Sequence, residues 1–438
     1  MAAARVGREL TGDGVGTAAG SRRVAVIGGG AAGLVAAWLL GRRHRVVLFE
    51  ARDRPGGHVR TLRHREAGRE RSLDTGFIVF NRKTYPLLSG VFDRLGVATQ
   101  GTEMSFSVSC RGCGMEYGGN GLSGLLAEPS NLLRRDFRRL LAGHGAFARA
   151  GRRALEDGGI RGTVGEFVRE ADLAGAYVRH YLLPMASALW SAPLPAVRRF
   201  PARLLLSFFD DHGLLRLMDR PRWETVVGGS DRYVRRLLDR TDARILTGHR
   251  VQRLRRTPDG VELRLADGRT GSFDRAVVAT HADQALGMLS EPSEAERKTL
   301  GSWTYTSSAA WLHSDPRFMP DRERAWCSWN YRLHGCRAED ERPRVTYHLN
   351  RLQRIDGERP YLVTLNPSRR PAPDAVLDRT TLRHPAYGPR AVEAQEELAE
   401  LSGRDRVHFC GAHEGYGFHE DAVRSAVRAA DELGVTFP

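Results

Sequence analysis

The pattern of apolar positions near the start of the chain predicts a strand, a glycine turn, a helix and a second strand. Residues 24–27 form a continuous apolar run, which is typical of a strand buried in a parallel sheet. Apolar side chains then recur at helical spacing over residues 34–40, and a second apolar run follows at residues 46–49. We therefore predict a β–α–β unit whose first turn lies at residues 28–33.

The remaining apolar pattern divides the chain into helical and strand-rich parts. Residues 120–220 have mainly helical spacing, whereas residues 244–278 and 303–366 have the alternation and the aromatic and β-branched content of strands. A last helix is predicted from about Asp421 to Leu433. Strand-rich segments on both sides of a long helical insert indicate a discontinuous domain.

We expect an α/β fold, with a discontinuous Rossmann-like dinucleotide-binding domain and an α+β substrate domain built from a helical insert and an antiparallel sheet. A disordered extension is expected before the first strand, because its glycine-containing stretch follows no apolar run. The predicted boundaries are 1–21 for the extension, 22–80, 221–290 and 401–438 for the dinucleotide-binding domain, and 81–220 and 291–400 for the substrate domain.

The glycines of the first turn fit the G-x-G-x-x-G pattern in its full strand–turn–helix context. Gly28 makes the tight turn, Gly30 lets the backbone approach a pyrophosphate, and Gly33 lets the helix pack against the strand. Glu50 follows the second strand, where a carboxylate binds both ribose hydroxyls and repels a 2′-phosphate. The pattern therefore predicts a dinucleotide other than NADP.

Composition narrows the classes of partner. The net charge of +15 favours anionic partners, but lysine occurs only at positions 83 and 298 and the arginines are dispersed along the chain. We therefore expect no nucleic-acid binding and keep peripheral contact with an anionic membrane as an alternative. No apolar stretch approaches the length of a membrane span or of the apolar core of a signal peptide. We therefore expect a cytoplasmic location, with peripheral membrane contact as the alternative.

The five cysteines are sparse. Cys110 and Cys113 have C-x-x-C spacing, which occurs in zinc and redox sites. No second pair with ligand spacing accompanies them, so we predict a loop or hairpin carrying two free thiols, and no metal site.

The motifs together resemble the FAD-binding flavoprotein amine oxidase and phytoene desaturase superfamily. The glycine turn, Glu50, and the segments 56–57, 74–76, 227–230, 276–280 and 410–422 carry this resemblance over most of residues 22–435. Within the superfamily the chain is similar to a bacterial group of predicted NAD/FAD-binding proteins, through the segments 74–81, 104–108, 350–353, 363–367 and 415–421. Genes of that group often accompany cyclopropane- or methyl-fatty-acid synthases, which implies a fatty-acyl substrate.

The resemblance implies one FAD, bound without a covalent link because no cysteine matches a flavin-linking position. It assigns phosphate, ribose, adenine and flavin contacts to Gly28, Gly30, Ala31, Ala32, Gly33, Glu50, Ala51, Arg54, Gly56, Gly57, His58, Thr75, Gly76, Phe77, Val251, Gly411, Glu420, Asp421 and Ala422. The last helix would direct its amide dipoles at the flavin edge that becomes negative on reduction.

Two departures from the superfamily bear on the reaction. His58 stands where the superfamily usually has an arginine, and neither Lys83 nor Lys298 matches the lysine that amine oxidases place near the flavin. If a C–C bond is desaturated, a base must also remove a proton. The candidates are His419 and Glu420, followed by His58 as a positioning group, and then His348 and His384.

Three hypotheses follow. The first is an FAD-dependent dehydrogenase or desaturase of a fatty-acyl or other lipid substrate, with residues 204–209 and 214–218 lining a tunnel or resting on a membrane. The second is an amine oxidase, favoured if an aromatic cage faces the flavin. The third is a non-catalytic flavin-binding partner of a lipid methyltransferase. The cage candidates are Trp303, Tyr305, Trp311, Trp326, Trp329 and Tyr347.

Overall fold

The computed structural model describes residues 20–66, 68–216, 221–336 and 342–438. The predicted disordered extension lies outside the described residues except for its last two positions. Leu217 and Met218, from the predicted tunnel segment 214–218, also lie outside them.

Strands of the described residues occur in both the N-terminal and C-terminal parts and on both sides of the helical insert. They are β1 (Arg23–Ile27), β2 (Arg45–Phe49), β3 (Thr61–Glu66), β4 (Arg69–Asp74), β5 (Phe80–Asn81), β6 (Thr99–Gly101), β7 (Phe106–Cys110), β8 (Met115–Gly118), β9 (Trp223–Val226), β10 (Arg244–Leu246), β11 (Val251–Thr257), β12 (Gly260–Leu265), β13 (Thr270–Phe273), β14 (Arg275–Val278), β15 (Trp303–His313), β16 (Trp329–Leu333), β17 (Val345–His348), β18 (Leu362–Leu365), β19 (Val376–Tyr387) and β20 (Val407–Phe409).

Helices of the described residues are concentrated between β8 and β9. They are α1 (Ala31–Gly41), α2 (Pro86–Leu95), α3 (Leu122–Leu125), α4 (Arg135–Glu156), α5 (Val164–Glu170), α6 (Gly175–Tyr177), α7 (Leu183–Trp190), α8 (Leu194–Arg198), α9 (Ala202–Asp211), α10 (Asp231–Arg240), α11 (Ala282–Met288), α12 (Glu294–Leu300), α13 (Leu349–Leu352), α14 (Ala391–Leu401) and α15 (His419–Glu432). A π-helix at Val178–Leu182 connects α6 with α7.

A five-stranded parallel sheet forms the centre of the dinucleotide-binding part, with the strand order β10–β2–β1–β14–β20. Helices α1 and α15 pack against each other beside it. The strands are short and apolar because both faces are covered, and residues 24–27 of β1 are at most 3% exposed. The predicted Rossmann-like α/β domain is confirmed, and its strands come from chain segments near both ends.

The substrate part contains a seven-stranded sheet in the order β19–β15–β18–β17–β16–β7–β8, covered by the helical insert. Most neighbours are antiparallel, as the sequence predicted, but β16 pairs with β7 in parallel. This parallel pair joins the strands before and after the insert and so holds the two halves of the substrate part together.

The β7–β8 segment is the predicted hairpin, and its cysteines Cys110 and Cys113 are free thiols. Cys110 and Cys113 of this turn lie against Cys336 and His180, which are distant in sequence. The sequence had shown no further ligands beside this pair, because Cys336 and His180 approach it only in the folded chain. Among the described helices, none has the length and apolarity that crossing a membrane requires.

Candidate active site

An elongated cavity of about 930 Å³, which we call the cradle, begins where β1 and β2 end and extends to the N-terminus of α15. This is the edge of a parallel sheet at which dinucleotides bind. Twelve of the residues predicted to hold the cofactor or act beside it line the cradle. They are Gly28, Gly30, Ala31, Ala32, Glu50, Ala51, Gly57, His58, Val251, Gly411, His419 and Ala422.

The three glycines of the turn have the separate roles that the sequence predicted. Gly28 has a φ of +106°, and a Cβ there would lie 2.7 Å from the Ala279 carbonyl oxygen. A Cβ on Gly33 would lie 1.8 Å from the Gly28 carbonyl oxygen, so Gly33 serves the packing of α1 and does not line the cradle. A Cβ on Gly30 would meet no atom within 4 Å, because this residue borders the open cradle. Hence the free amides at the start of α1 are accessible to a phosphate.

Glu50 is fixed by two backbone amides. Its Oε2 accepts a hydrogen bond from the Gly29 N–H at 2.7 Å, and its Oε1 accepts one from the Arg52 N–H at 2.8 Å. A carboxylate has about four acceptor positions, so it retains capacity for ribose hydroxyls. The glycine turn and the Glu50 carboxylate are therefore parts of one hydrogen-bonded unit.

Arg54, predicted to contact phosphate, and Gly56, predicted to pass close to the flavin and its ribityl chain, do not line the cradle. Arg54 is exposed and does not line the cradle, whereas Arg52 and Arg250 do. Gly56 lies beneath the cavity, where its N–H donates to the Gly29 carbonyl oxygen at 2.7 Å. Arg54 is therefore not placed to contact a phosphate in the cradle, whereas Arg52 and Arg250 border it.

Glu420 and Asp421 also face away from the cradle. The Glu420 carboxylate accepts hydrogen bonds from the Leu87 and Leu88 N–H groups at 3.1 and 2.9 Å, at the start of α2. Asp421 accepts a hydrogen bond from the Phe418 N–H at 3.0 Å and pairs with Arg424. Glu420 is therefore a cap of a neighbouring helix, and neither carboxylate contacts the position predicted for the flavin.

A second cavity of about 600 Å³, which we call the inner cavity, adjoins the cradle. Thr75, Gly76 and Phe77 line it, beside the helical insert. None of the described residues that line it is Asp, Glu, Lys or Arg. The residues shared by the two cavities are His58, His384, Pro385, Gly417, Phe418 and His419. The polar groups of the inner cavity are therefore hydroxyls, sulfur, backbone groups, indole N–H groups and imidazoles.

Five histidines surround the junction and the cradle, and we call them the histidine cluster: His58, His281, His384, His413 and His419. The rings of His58 and His384 are stacked with centroids 5.0 Å apart, and His419 is stacked on Phe77 at 4.0 Å. Burial lowers the pKa of His58 and of His281 to about 4, and that of the other three to about 3. All five are therefore neutral at pH 7.

The sequence analysis identified only part of this cluster. Candidate roles were predicted for His58, His384 and His419, but none for His281 or His413. His281 is stacked on Tyr305, and His413 contacts Trp303 edge-on. His348, the remaining candidate base, lines neither cavity and packs against Trp326. Single histidines far apart in sequence carry no spacing signal, so only the fold brings them together.

Of the aromatic residues considered for a cage, two face the inner cavity. The rings of Trp329 and Tyr347 are perpendicular with centroids 5.1 Å apart. Tyr305 lines the cradle, whereas Trp303, Trp311 and Trp326 line neither cavity. The amine-oxidase hypothesis therefore retains one aromatic pair.

The cradle fits a flavin dinucleotide on the chemistry of its donors. It offers helix amides and two arginines for a pyrophosphate, and a carboxylate for a ribose. Four cluster nitrogens are buried without a hydrogen-bond partner among the described residues, so they are available to polar groups of a bound cofactor or substrate. They are His281 Nδ1, His384 Nδ1, His413 Nε2 and His419 Nε2.

The sequence profile of the flavin containing amine oxidoreductases matches residues 31–434. The chain belongs to this family. FAD is accordingly its cofactor, and the chain is an FAD-dependent oxidoreductase. None of its five cysteines, all of which are described, lines the cradle, in keeping with the non-covalent binding that is typical of the family.

Known relatives of this flavin amine oxidoreductase carry different names. An L-amino-acid oxidase of Siganus canaliculatus is 24% identical over 487 residues, covering 94% of this chain and 85% of the relative. A fatty acid isomerase of P. acnes that produces CLA has a similar structure, with a TM-score of 0.66, 16% identity, and coverage of 96% of this chain and 100% of that one. A cyclohexylamine oxidase of Brevibacterium oxydans also has a similar structure, with a TM-score of 0.67 and 16% identity, and the match covers 94% of this chain and 98% of that one. These structural similarities establish the fold.

Proposed function

We propose that this oxidoreductase removes a hydride from an apolar substrate of the fatty-acyl or other lipid class, as a dehydrogenase or desaturase. The observation that carries the proposal is the absence of charged side chains among the described residues of the inner cavity. When bound, FAD supplies the hydride acceptor. The residues of the inner cavity would bind the substrate, orient its C–H bond toward the junction, and exclude water.

The lining of the inner cavity, which lacks charged side chains, favours an uncharged substrate. Moving an ammonium or carboxylate group from water into an apolar cavity costs several kcal/mol unless a counter-charge compensates for it. The inner cavity instead offers apolar and aromatic side chains, such as Phe106, Met185 and Leu189. Burial of hydrocarbon contributes about 0.8 kcal/mol per CH₂ group, so an acyl chain would gain affinity along the whole cavity.

His419 would accept the proton that a desaturation releases. Its Nε2 has no hydrogen-bond partner among the described residues, and its ring lies at the junction of the two cavities. The neutral ring holds a free lone pair there, which a protonated histidine would lack. His58 and His384 would orient the substrate as a stacked pair on the same side. Loss of a hydride and a proton from adjacent carbons leaves a C=C bond in the product.

Substrate would enter from an anionic membrane surface. Four leucines with large exposed fractions, which we call the leucine patch, lie in one segment: Leu122 (77%), Leu132 (46%), Leu133 (83%) and Leu141 (38%). Leu141 also lines the inner cavity. The exposed side chains of Arg135, Arg138 and Arg139 accompany the patch. Apolar side chains next to arginines are suited to the interface of a bilayer with anionic headgroups.

The bacterial group that the sequence resembles indicates which lipids to test first. Because its genes accompany cyclopropane- and methyl-fatty-acid synthases, the acyl products of such methyltransferases are proposed as substrates, and the methyltransferase as a partner.

The alternative, oxidation of an amine, is favoured by the Trp329–Tyr347 pair in the inner cavity. Both readings use the same cofactor and differ in what fills that cavity.

The deciding experiment is anaerobic reduction of the flavin. We expect phosphatidylglycerol vesicles with oleoyl, methylated or cyclopropane-containing acyl chains to bleach the flavin, and mass analysis to find an acyl product two hydrogens lighter. The variant Leu189→Trp, which fills the inner cavity, should slow bleaching at least tenfold. Ala399→Trp, on the exposed face of α14, is the matched control and should leave it unchanged. Bleaching by putrescine or cyclohexylamine with no effect of the lipids would refute the lipid proposal.

A further inference from the structure

Three cysteines and a histidine meet far from the cradle. Cys110 and Cys113 lie in and just after β7, Cys336 follows β16, and His180 lies in the π-helix. The three Sγ atoms and one histidine nitrogen all lie within 4.8 Å of one another. The C-x-x-C spacing of Cys110 and Cys113 indicated only half of this set, because Cys336 and His180 come from two other parts of the chain.

The measured distances have the size of the edges of a zinc tetrahedron. The Cys110 and Cys336 Sγ atoms are 3.7 Å apart, and Cys113 Sγ is 3.6 Å from His180 Nε2. With Zn–S bonds of about 2.3 Å and Zn–N bonds of about 2.0 Å, a tetrahedral site requires about 3.8 Å between sulfurs and about 3.6 Å between sulfur and nitrogen. A sulfur–sulfur distance of 3.7 Å is far longer than the bond of a disulfide, about 2.05 Å.

The histidine is oriented as a ligand. Its Nδ1 lies 3.2 Å from the Ala176 carbonyl oxygen, which is the partner that a protonated Nδ1 would donate to. This hydrogen bond leaves the lone pair of Nε2 directed toward the thiols, and it is the support that metal-bound histidines commonly have. The ring is 1% exposed and sits in a π-helix, a distortion that often marks functional positions.

The backbone of the two loops is also shaped for a close approach. The Gly114 N–H donates to the Cys110 carbonyl oxygen at 2.8 Å, and Gly114 has a φ of +67°, so the C-x-x-C segment forms a tight turn. A Cβ on Gly112 would lie 2.9 Å from Gly335 Cα. Glycine at both positions therefore lets the turn and the loop that carries Cys336 come into contact.

We propose that Cys110, Cys113, Cys336 and His180 bind one zinc ion in a structural site. Three thiolates and an imidazole are a ligand set that zinc prefers, and four protein ligands leave no open position for a substrate. The ion would connect the β7–β8 turn, the loop after β16 and the π-helix. Tyr177 and Tyr181 flank His180 and line the inner cavity, so the zinc would hold that wall in position.

The test is metal analysis of the purified holoprotein. We expect about one zinc per chain in wild type, and at least a tenfold lower content in Cys113→Ser. Cys327→Ser is the matched control, because Cys327 is also a buried free cysteine but is not part of the set, and it should keep its zinc. Bound flavin in each variant reports whether the protein has folded.

Cobalt provides a measurement that needs no variant. Wild type exchanged with Co²⁺ should show the visible absorption of tetrahedral cobalt together with thiolate charge-transfer bands. Less than about a tenth of a zinc per chain after zinc supplementation, with no tetrahedral cobalt spectrum, would overturn the proposal. A Cys110–Cys336 disulfide in peptide mapping of the native protein would overturn it as well, since it would consume two of the ligands.

Discussion

Replacing Glu420 by alanine separates a structural from a catalytic role for this buried acid. Its carboxylate accepts hydrogen bonds from the Leu87 and Leu88 N–H groups at the start of α2, where the capping residue Tyr85 offers no side-chain acceptor. Each buried N–H left without a partner costs about 1–3 kcal/mol, and a negative charge at a helix N-terminus adds up to about 1 kcal/mol. We expect Glu420→Ala to lower the free energy of unfolding by about 3 kcal/mol.

A loss of that size corresponds to a fall in Tm of about 6 °C, taking roughly 2 °C per kcal/mol for a large chain. Thermal unfolding followed by circular dichroism measures it. Glu393→Ala is the control, since this acid is 69% exposed on α14 and should leave Tm within about 1 °C. The rate of anaerobic flavin reduction should change by less than about threefold. An unchanged Tm with a rate about 10²-fold lower would refute the capping role, because that is the size of effect expected for a general base.

The remaining predictions concern the cradle and the leucine patch. Glu50→Gln should raise the FAD dissociation constant about 10–100-fold in a fluorescence titration of apoprotein, since a charge-assisted bond to the glycine turn is weakened. Acidification from pH 6.5 to about pH 4 should release the flavin, seen as a rise in its fluorescence. Because the folded chain lowers the pKa values of the histidine cluster, only the unfolded chain binds protons there between pH 6.5 and about pH 4. The free energy of unfolding therefore falls by up to about 1.4 kcal/mol per histidine for each pH unit of acidification. Retention of flavin at pH 4 would contradict this prediction. The double variant Leu122→Ser and Leu133→Ser should bind phosphatidylglycerol vesicles at least tenfold more weakly than wild type in a sedimentation assay. Val227→Ser, at an exposed apolar position elsewhere, should bind them as wild type does. An equal loss of binding in both proteins would contradict a specific docking face.

Local sequence signals predicted the cradle because its roles depend on backbone geometry. The glycine turn, Glu50 and the loop at Gly411 have fixed spacing relative to a strand and a helix, so each carries its own signature. No comparable sequence signature predicts the direction in which a side chain of a loop points. Arg54 and Arg52 are two residues apart, and the sequence could not tell which of them turns toward the phosphate site.

Contacts between distant parts of the chain could not be predicted. Glu420 follows a cavity-lining histidine in sequence, but the helical rotation between neighbouring residues turns its carboxylate toward α2. The four proposed zinc ligands are brought together by the pairing of β16 with β7 and by the packing of the helical insert. The five histidines of the cluster come from β19, from the start of α15 and from the loops after β2, β14 and β20. A single sequence does not reveal such pairings, because the spacing of residues predicts only local structure along the chain.

The strand order of the parallel sheet has a consequence for how the protein matures on the ribosome. The glycine turn emerges before the helical insert, whereas β20, Gly411 and the start of α15 emerge after the insert and the seven-stranded sheet. The outer strand β20 and the closing helix are thus missing while the insert and the seven-stranded sheet are being synthesised. Nascent chains should therefore take up FAD only after β20 and the start of α15 have been synthesised. Products truncated before β20 should remain colourless and expose the apolar edge of β14 to chaperones and proteases.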